Sequence, residues 1–500
     1  MDEETRLSID SPDAPLLGPR RRRVKQRQQQ HGYHIITSRR GISLVACCAV
    51  FLWVLSGMIA MVPSARIAED IFCRRYYNYN NKNENENENP IEESKCKLDE
   101  IQSSMAWLFG LEMAISGFVG LVAVLPFGVL ADRARKRVYL LGATGQLASV
   151  VWSLVVLRFW RVEMILLGPV FGFLGGGLQM AIVVLYAVIS DVNESEDRAI
   201  MYFFASLAAN LAVFVGPPLA SKMMDIWGPW VPMLLCLLIT FMAGGLILLI
   251  PETAAAAAAQ KQKQDSSEEE NKEEPWLQKL QQSLPNFHTL LKNHHRIIPL
   301  LIIFTLIAPL PIAMGPLFLQ YYSTRFNRPL KEAGYILAIR GGLTVVVLGI
   351  ILPLLSKSLT RLLLLKRKTN IPSDLILAQI SAAFVLTGYI LLGSPHVLPG
   401  IIFLSLSTGL APLCRSLVSR LVNPEQMSQV FTIVSIVEGI GALPAGPFLA
   451  WTFSLGMRVG GVWVGLPFFV LAALGALVFG VLFLVYDFPD LGRNETELFT

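Results

Sequence analysis

Charge is scarce in this chain of 500 residues: only 16% are Asp, Glu, Lys or Arg, against 53% that are hydrophobic. A soluble globular protein carries about 25% charged residues, so the composition excludes that class and points to a chain solvated by lipid. Histidine is scarce too. All six, at positions 31, 34, 288, 294, 295 and 396, fall outside the long apolar runs, which removes the usual proton-relay side chain and leaves carboxylates for such work. No Gly-x-x-x-x-Gly-Lys-Ser/Thr loop occurs, so ATP hydrolysis by this chain is not the expected energy source. His-Glu-x-x-His and Gly-x-Ser-x-Gly are missing as well, and neither an enzyme, a cofactor nor a bound metal is expected. The net charge of +5 is modest, and the basic residues gather in a tail and in turns rather than among aromatics. That pattern encodes topology, not nucleic-acid binding.

Long apolar runs are what the sequence has in quantity. About 20 apolar residues cross a hydrocarbon layer ~30 Å thick, and twelve such runs are present. Six lie near 42–62, 104–130, 138–157, 164–189, 199–223 and 232–250; six more lie near 297–320, 333–355, 375–392, 398–419, 430–452 and 461–486. The expected fold class is an all-α integral membrane protein with twelve transmembrane helices in two pseudo-symmetric six-helix bundles, 41–253 and 297–487. Residues 1–40 are polar, carry the basic run Arg20 to Arg23, and lack periodicity, which predicts a disordered cytoplasmic tail. No cleavable signal peptide is expected. Asp13 to Leu17 has the form of an acidic dileucine sorting signal, so the plasma membrane and a vacuolar or endosomal membrane both stay open. Residues 254–296 read as a cytoplasmic linker, in which Trp276, Leu277, Leu280, Leu284, Phe287 and Leu291 recur at helical spacing and predict an interfacial helix. A short cytoplasmic tail, 488–500, closes the chain.

The turn between the second and third runs, Gly128 to Arg137, is charge-dense and reads as a tight interfacial connector. Because Lys and Arg collect on cytoplasmic loops, Arg133, Arg135, Lys136 and Arg137 place it inside the cell. Gly128, Asp132, Arg133 and the basic pair ending at Arg137 resemble the signature loop between helices 2 and 3 of the major facilitator superfamily. The family pattern has a glycine where this chain has Arg135. The resemblance implies that Asp132 and Arg133 pair with a neighbouring helix end and steady one closed state. An internal repeat supports the same reading: Gly216 to Ala220 matches Gly446 to Ala450 at a separation of 230 residues, and Val192-Asn193 falls on Val422-Asn423 at that offset. Two six-helix halves related by an axis along the membrane normal are what transporters of this family show. In the second half, Arg361, Lys366, Arg367 and Lys368 stand where the loop should recur, without its Asp and Gly.

Four residues inside the runs are candidates for a substrate or proton site: Glu112, Asn210, Arg340 and Glu438. An ionisable group in hydrocarbon costs at least ~2.5 kcal/mol on insertion scales, so Glu112, Arg340 and Glu438 are functional candidates by default. Glu438 and Arg340 read either as a structural ion pair or as a titrating acid whose counter-ion changes with conformation. Glu112 reads as a proton site or a helix-packing hydrogen-bond partner, and Asn210 as a substrate contact or helix glue. Arg415 lies nearer the inner surface and reads as structural, its side chain snorkelling outward. Helix 4 has glycines at 172 and 175 to 177, for packing or bending, but no Arg of the kind that proton-coupled relatives carry. Of six cysteines, Cys47, Cys48, Cys236 and Cys414 fall in apolar runs; Cys73 and Cys96 share one outer loop and are expected to form a disulfide. The resulting expectation is a secondary transporter working by alternating access, proton-coupled, monomeric, with a small-molecule substrate and the lipid bilayer as partners. A receptor or sensor of the same shape is the alternative.

Sidedness is directly testable. A cysteine replacing Asp265 in the linker should resist a membrane-impermeant thiol reagent applied to intact cells and react after permeabilisation. Labelling without permeabilisation would reverse the orientation.

Overall fold

A computed structural model describes residues 36, 38–80, 92–193, 195–253, 297–352, 354–355, 358, 373–421 and 427–486. The tails, the linker with its amphipathic segment and the basic residues from Arg361 to Lys368 lie outside these. The first six helices are α1 (Arg39–Asn80), α2 (Asp99–Arg133), α3 (Arg135–Phe159), α4 (Val162–Phe173 and Gly177–Val192), α5 (Ser195–Trp227) and α6 (Trp230–Gly245). The second six are α7 (Ile298–Ile307, Pro309–Ile312 and Pro316–Phe326), α8 (Leu330–Val346, continued by a π-turn at Val347–Ile351), α9 (Ser373–Gly393), α10 (Val397–Leu406 and Leu410–Leu421), α11 (Met427–Ala442 and Ala445–Val459) and α12 (Leu466–Tyr486). Eleven helices among the described residues can span a membrane by length and apolarity, and α7, bent by 55°, supplies the twelfth. In lipid every backbone group needs a partner within its own segment, which is why the apolar runs fold as helices.

Three boundaries differ from expectation. The first run was placed at 42–62, but α1 continues to Asn80 across its internal Pro63. The polar extension carries its own i,i+3 and i,i+4 ion pairs, Arg66–Glu69 and Arg74–Asp70, which support a helix beyond the bilayer. α7 is not continuous, because Pro309, Pro311 and Pro316 interrupt its hydrogen bonds. Tyr389 of α9 donates its hydroxyl to the Leu310 carbonyl at that break, at 2.6 Å. α4 changes from a 3₁₀ helix to an α-helix at Gly175, Gly176 and Gly177, all at positive φ; Gly175 rests on the backbone of Gly142 in α3, where a Cβ would come within 2.2 Å.

The chain has two distinct ends. At one, Cys73 of α1 is bonded to Cys96 of a 3₁₀ turn at Glu93–Cys96. At the other is the α2–α3 connector. It was expected to break the helix over ten residues, yet α2 runs through Gly128 to Arg133, only Ala134 leaves helical geometry (φ −151°, ψ 72°), and α3 restarts at Arg135. Asp132, with a side chain 78% exposed, lies 3.8 Å from Arg135, the first residue of α3. Arg135 itself makes the helix-to-helix bond, donating to Asp191 at the end of α4 at 3.0 Å. Thr253 also donates to Asp191, at 3.0 Å, and the Lys136 ammonium reaches the Ile250 carbonyl at 3.0 Å. Arginine, where the family pattern has glycine, has moved the pairing from the exposed Asp132 to the covered Asp191.

The bundles meet along two seams, α2 with α11 and α5 with α8. Each seam is lined by glycines seven residues apart. A Cβ on Gly110 would approach the Gly446 carbonyl oxygen at 2.7 Å, and one on Gly117 would meet Leu443 at 3.2 Å. On α8, a Cβ on Gly334 would strike the Ser221 hydroxyl at 2.3 Å, and one on Gly341 the Phe214 backbone at 2.8 Å. Small residues let helices pack closely where lipid supplies no hydrophobic drive. These approaches lie on the disulfide side of the molecule. Toward the connector, Gly177–Val192 of α4 and Leu410–Leu421 of α10 share no extensive packing among the described residues.

The Arg135–Asp191 pair, with side chains 14% and 9% exposed, should respond asymmetrically to mutation. Arg135→Met should cost about 3–5 kcal/mol by stranding a covered carboxylate, and the double variant with Asp191→Asn should recover most of it. Thermal unfolding of the purified protein measures both; equal losses would remove the pair from the account of stability.

Candidate functional site

A charge at bilayer depth must be neutralised, hydrated or buried in protein, and the four candidates meet this requirement differently. Glu438 lies eleven residues into α11 from Met427, about 16 Å along its axis at ~1.5 Å per residue. Its partner is not Arg340. Arg415 of α10 donates through one Nη2 to both carboxylate oxygens of Glu438, at 2.8 and 2.9 Å. The guanidinium also sits 6.0 Å from the centroid of Phe304 on α7. Arg415, read as snorkelling outward, instead reaches from α10 across to the acid on the next helix. Their side chains are 46% and 26% exposed, and at this depth each neutralises the charge of the other.

Arg340 and Glu112 contrast with that pair. The Arg340 Nε is buried without a hydrogen-bond partner. Glu112, half-buried on α2, has no hydrogen bond or ion pair among the described residues, so the packing bond considered for it is not formed. Asn210 donates to the carbonyl of Ser206, one turn back on its own helix, at 2.9 Å; it joins no second helix. The structure thus brings Glu438 together with Arg415 and leaves Glu112, Asn210 and Arg340 without contact to that pair or to one another.

A small void of 20 Å³ lies at the α2–α7–α11 junction, between Gly110, Met113, Gln320 and Gly446. Gln320 is completely buried, and both polar atoms of its amide lack partners. A space of this size holds about one water, which would satisfy the amide. Residues that the sequence reading passed over are Asp191, which accepts from Arg135, Glu252, which accepts the Lys136 backbone N–H, and Thr253, which donates to Asp191. The Pro251-Glu252-Thr253 sequence at the end of the first half was the available signal. For the seam, the signal was Gly110 and Gly117 recurring as Gly334 and Gly341 at one constant offset.

Comparison with known proteins agrees with this architecture. An efflux pump of Emericella nidulans named atnC is 29% identical over 450 residues, covering 88% of this chain and 86% of its own length. The efflux pump ustT of Aspergillus flavus is 25% identical over 467 residues, covering 88% and 87%. Among solved structures, a D-xylose–proton symporter superposes with a TM-score of 0.59 at 13% identity, covering 90% of this chain and 98% of its own. The nucleoside transporter NupG does so with a TM-score of 0.58 at 12% identity, covering 89% and 99%. At these identities the structures speak for the fold alone. The Major Facilitator Superfamily profile matches residues 102–446, spanning both bundles and both seams, and the chain belongs to that family of membrane transporters.

Proposed function

We propose that this protein is a secondary active transporter that exports a small organic solute by alternating access, coupled to protons, with the connector end in the cytoplasm. The observation that carries the reading is the Arg415–Glu438 pair, a partly exposed ion pair at membrane depth, on the second bundle of a molecule whose two bundles meet along glycine seams. Such a pair suits a site that empties and refills. A carboxylate that leaves its guanidinium partner in another conformation needs a new partner for its charge or a proton in its place. The conformational change would thus be linked to proton uptake and release. Glu112 is the second candidate for the proton, and Arg340, which lacks a partner on its buried Nε, is available to an anionic or strongly accepting group of the solute. Export as the direction follows the naming of the fungal relatives as efflux pumps. The transporter acts as a monomer, since one chain supplies both six-helix halves.

Glu438→Gln preserves size and hydrogen bonding while removing titration. In proteoliposomes, with a solute first identified by thermal-shift screening, this variant should insert normally, lose pH-driven accumulation and keep solute exchange. Glu112→Gln should show the same phenotype if Glu112 carries the proton. Unchanged pH dependence in Glu438→Gln would assign the Arg415–Glu438 pair to packing alone, and binding without any flux would favour a receptor.

A further inference from the structure

The disulfide end carries a second cluster of charge that the transport chemistry does not use. Glu69 of α1 is fully buried, yet it accepts from Lys97 at 2.6 Å, Gln102 at 2.7 Å and Arg66 at 2.8 Å. Lys97 and Gln102 flank the 3₁₀ turn at Glu93–Cys96, and Gln102 also donates to the Cys96 carbonyl at 3.0 Å. With the Cys73–Cys96 bond, these contacts fix the turn to α1 and α2 of the first bundle. Lys97 also donates to Glu93 at 3.2 Å, and Arg66 lies 3.5 Å from its other oxygen.

Glu93 then leaves its own bundle. Its Oε1 accepts the backbone N–H of Leu330, the first residue of α8, at 2.8 Å. That N–H is one of the donors a helix start leaves unpaired, and Pro329 before it offers no side-chain cap. A carboxylate there also meets the positive end of the helix dipole. A second ion pair, Lys331 to Asp225 of α5, crosses the seam one residue further on.

We propose that Glu93 is the latch of the outer gate: it holds α8 against the first bundle in this state, and the disulfide keeps it stiff by preventing the turn from following α8 when the bundles part. Opening this end must break the Glu93–Leu330 bond, while the Glu69 cluster stays intact within its own bundle. The latch is a gating residue for the cycle under "Proposed function" and rests on that reading of alternating access.

Met113 lines the small void at the seam, so a cysteine there reports opening of this end. In full-length protein carrying Met113→Cys, labelling by a membrane-impermeant maleimide from the disulfide side should be slow. Added Glu93→Ala should accelerate it about tenfold, the equivalent of one lost charged hydrogen bond. Glu93→Gln, which keeps an acceptor for the Leu330 N–H, should accelerate it only about two- to threefold, and Cys73→Ser with Cys96→Ser should fall between. Should Glu93→Ala fail to reach the membrane, the Glu93→Gln rate decides: faster labelling supports the latch and unchanged labelling overturns it. Lys331→Ala separates the two levels of the argument. Acceleration by Lys331→Ala with none by Glu93→Ala overturns the latch and leaves alternation standing. No labelling in any variant, with no solute flux, overturns both.

Discussion

The contact on which this architecture depends is the backbone-to-backbone approach of Gly110 and Gly446, where either added Cβ would come within 2.7 Å of the opposing carbonyl oxygen. Lipid tails are as apolar as leucine, so burial of apolar surface cannot draw the two bundles together; close packing and polar contacts must. Gly117, Gly334 and Gly341 extend the same device over both seams. A seam built from flat helix faces can part and close again without repacking large side chains, which is what a two-state transporter requires of its bundle interface.

Polar contacts divide the labour between the ends. At the disulfide end they cross from one bundle to the other, through Glu93 to Leu330 and Lys331 to Asp225. At the connector end Arg135 and Thr253 bond to Asp191 inside the first bundle, and Ser416 to Asp374 inside the second. Contacts within a bundle survive its rotation as a rigid body, and contacts across the seam do not. The internal repeat shows how little of this symmetry governs the details. Gly216 packs against Met58 within its own bundle, while its counterpart Gly446 packs against Gly110 of the other.

Legibility in the sequence follows the range of the forces involved. Helix count and approximate bounds were readable because the bilayer requires each segment to satisfy its own backbone, a constraint written locally in runs of about 20 apolar residues. The signature connector and its basic residues were readable for the same reason, as was the Cys73–Cys96 disulfide, although Cys73 lies in α1 rather than in a loop. Charged residues inside spans stood out because they are costly there, which is how Glu112, Arg340 and Glu438 were found.

Pairing was not readable, because it depends on which helix faces meet. Glu438 was matched to Arg340, yet Arg415, from the neighbouring helix, reaches it with both bonds. Asp132 was given the role that Arg135 performs with Asp191, since a motif records residue types and not the direction in which a helix turns them. The sequence by itself determined a membrane-embedded bundle of twelve helices in two halves, since solvation by lipid acts on each segment alone. Only the tertiary structure decided which charges are neutralised, which are left without partners and which end is shut, since those outcomes arise where helices far apart in the chain come within a few ångströms of one another.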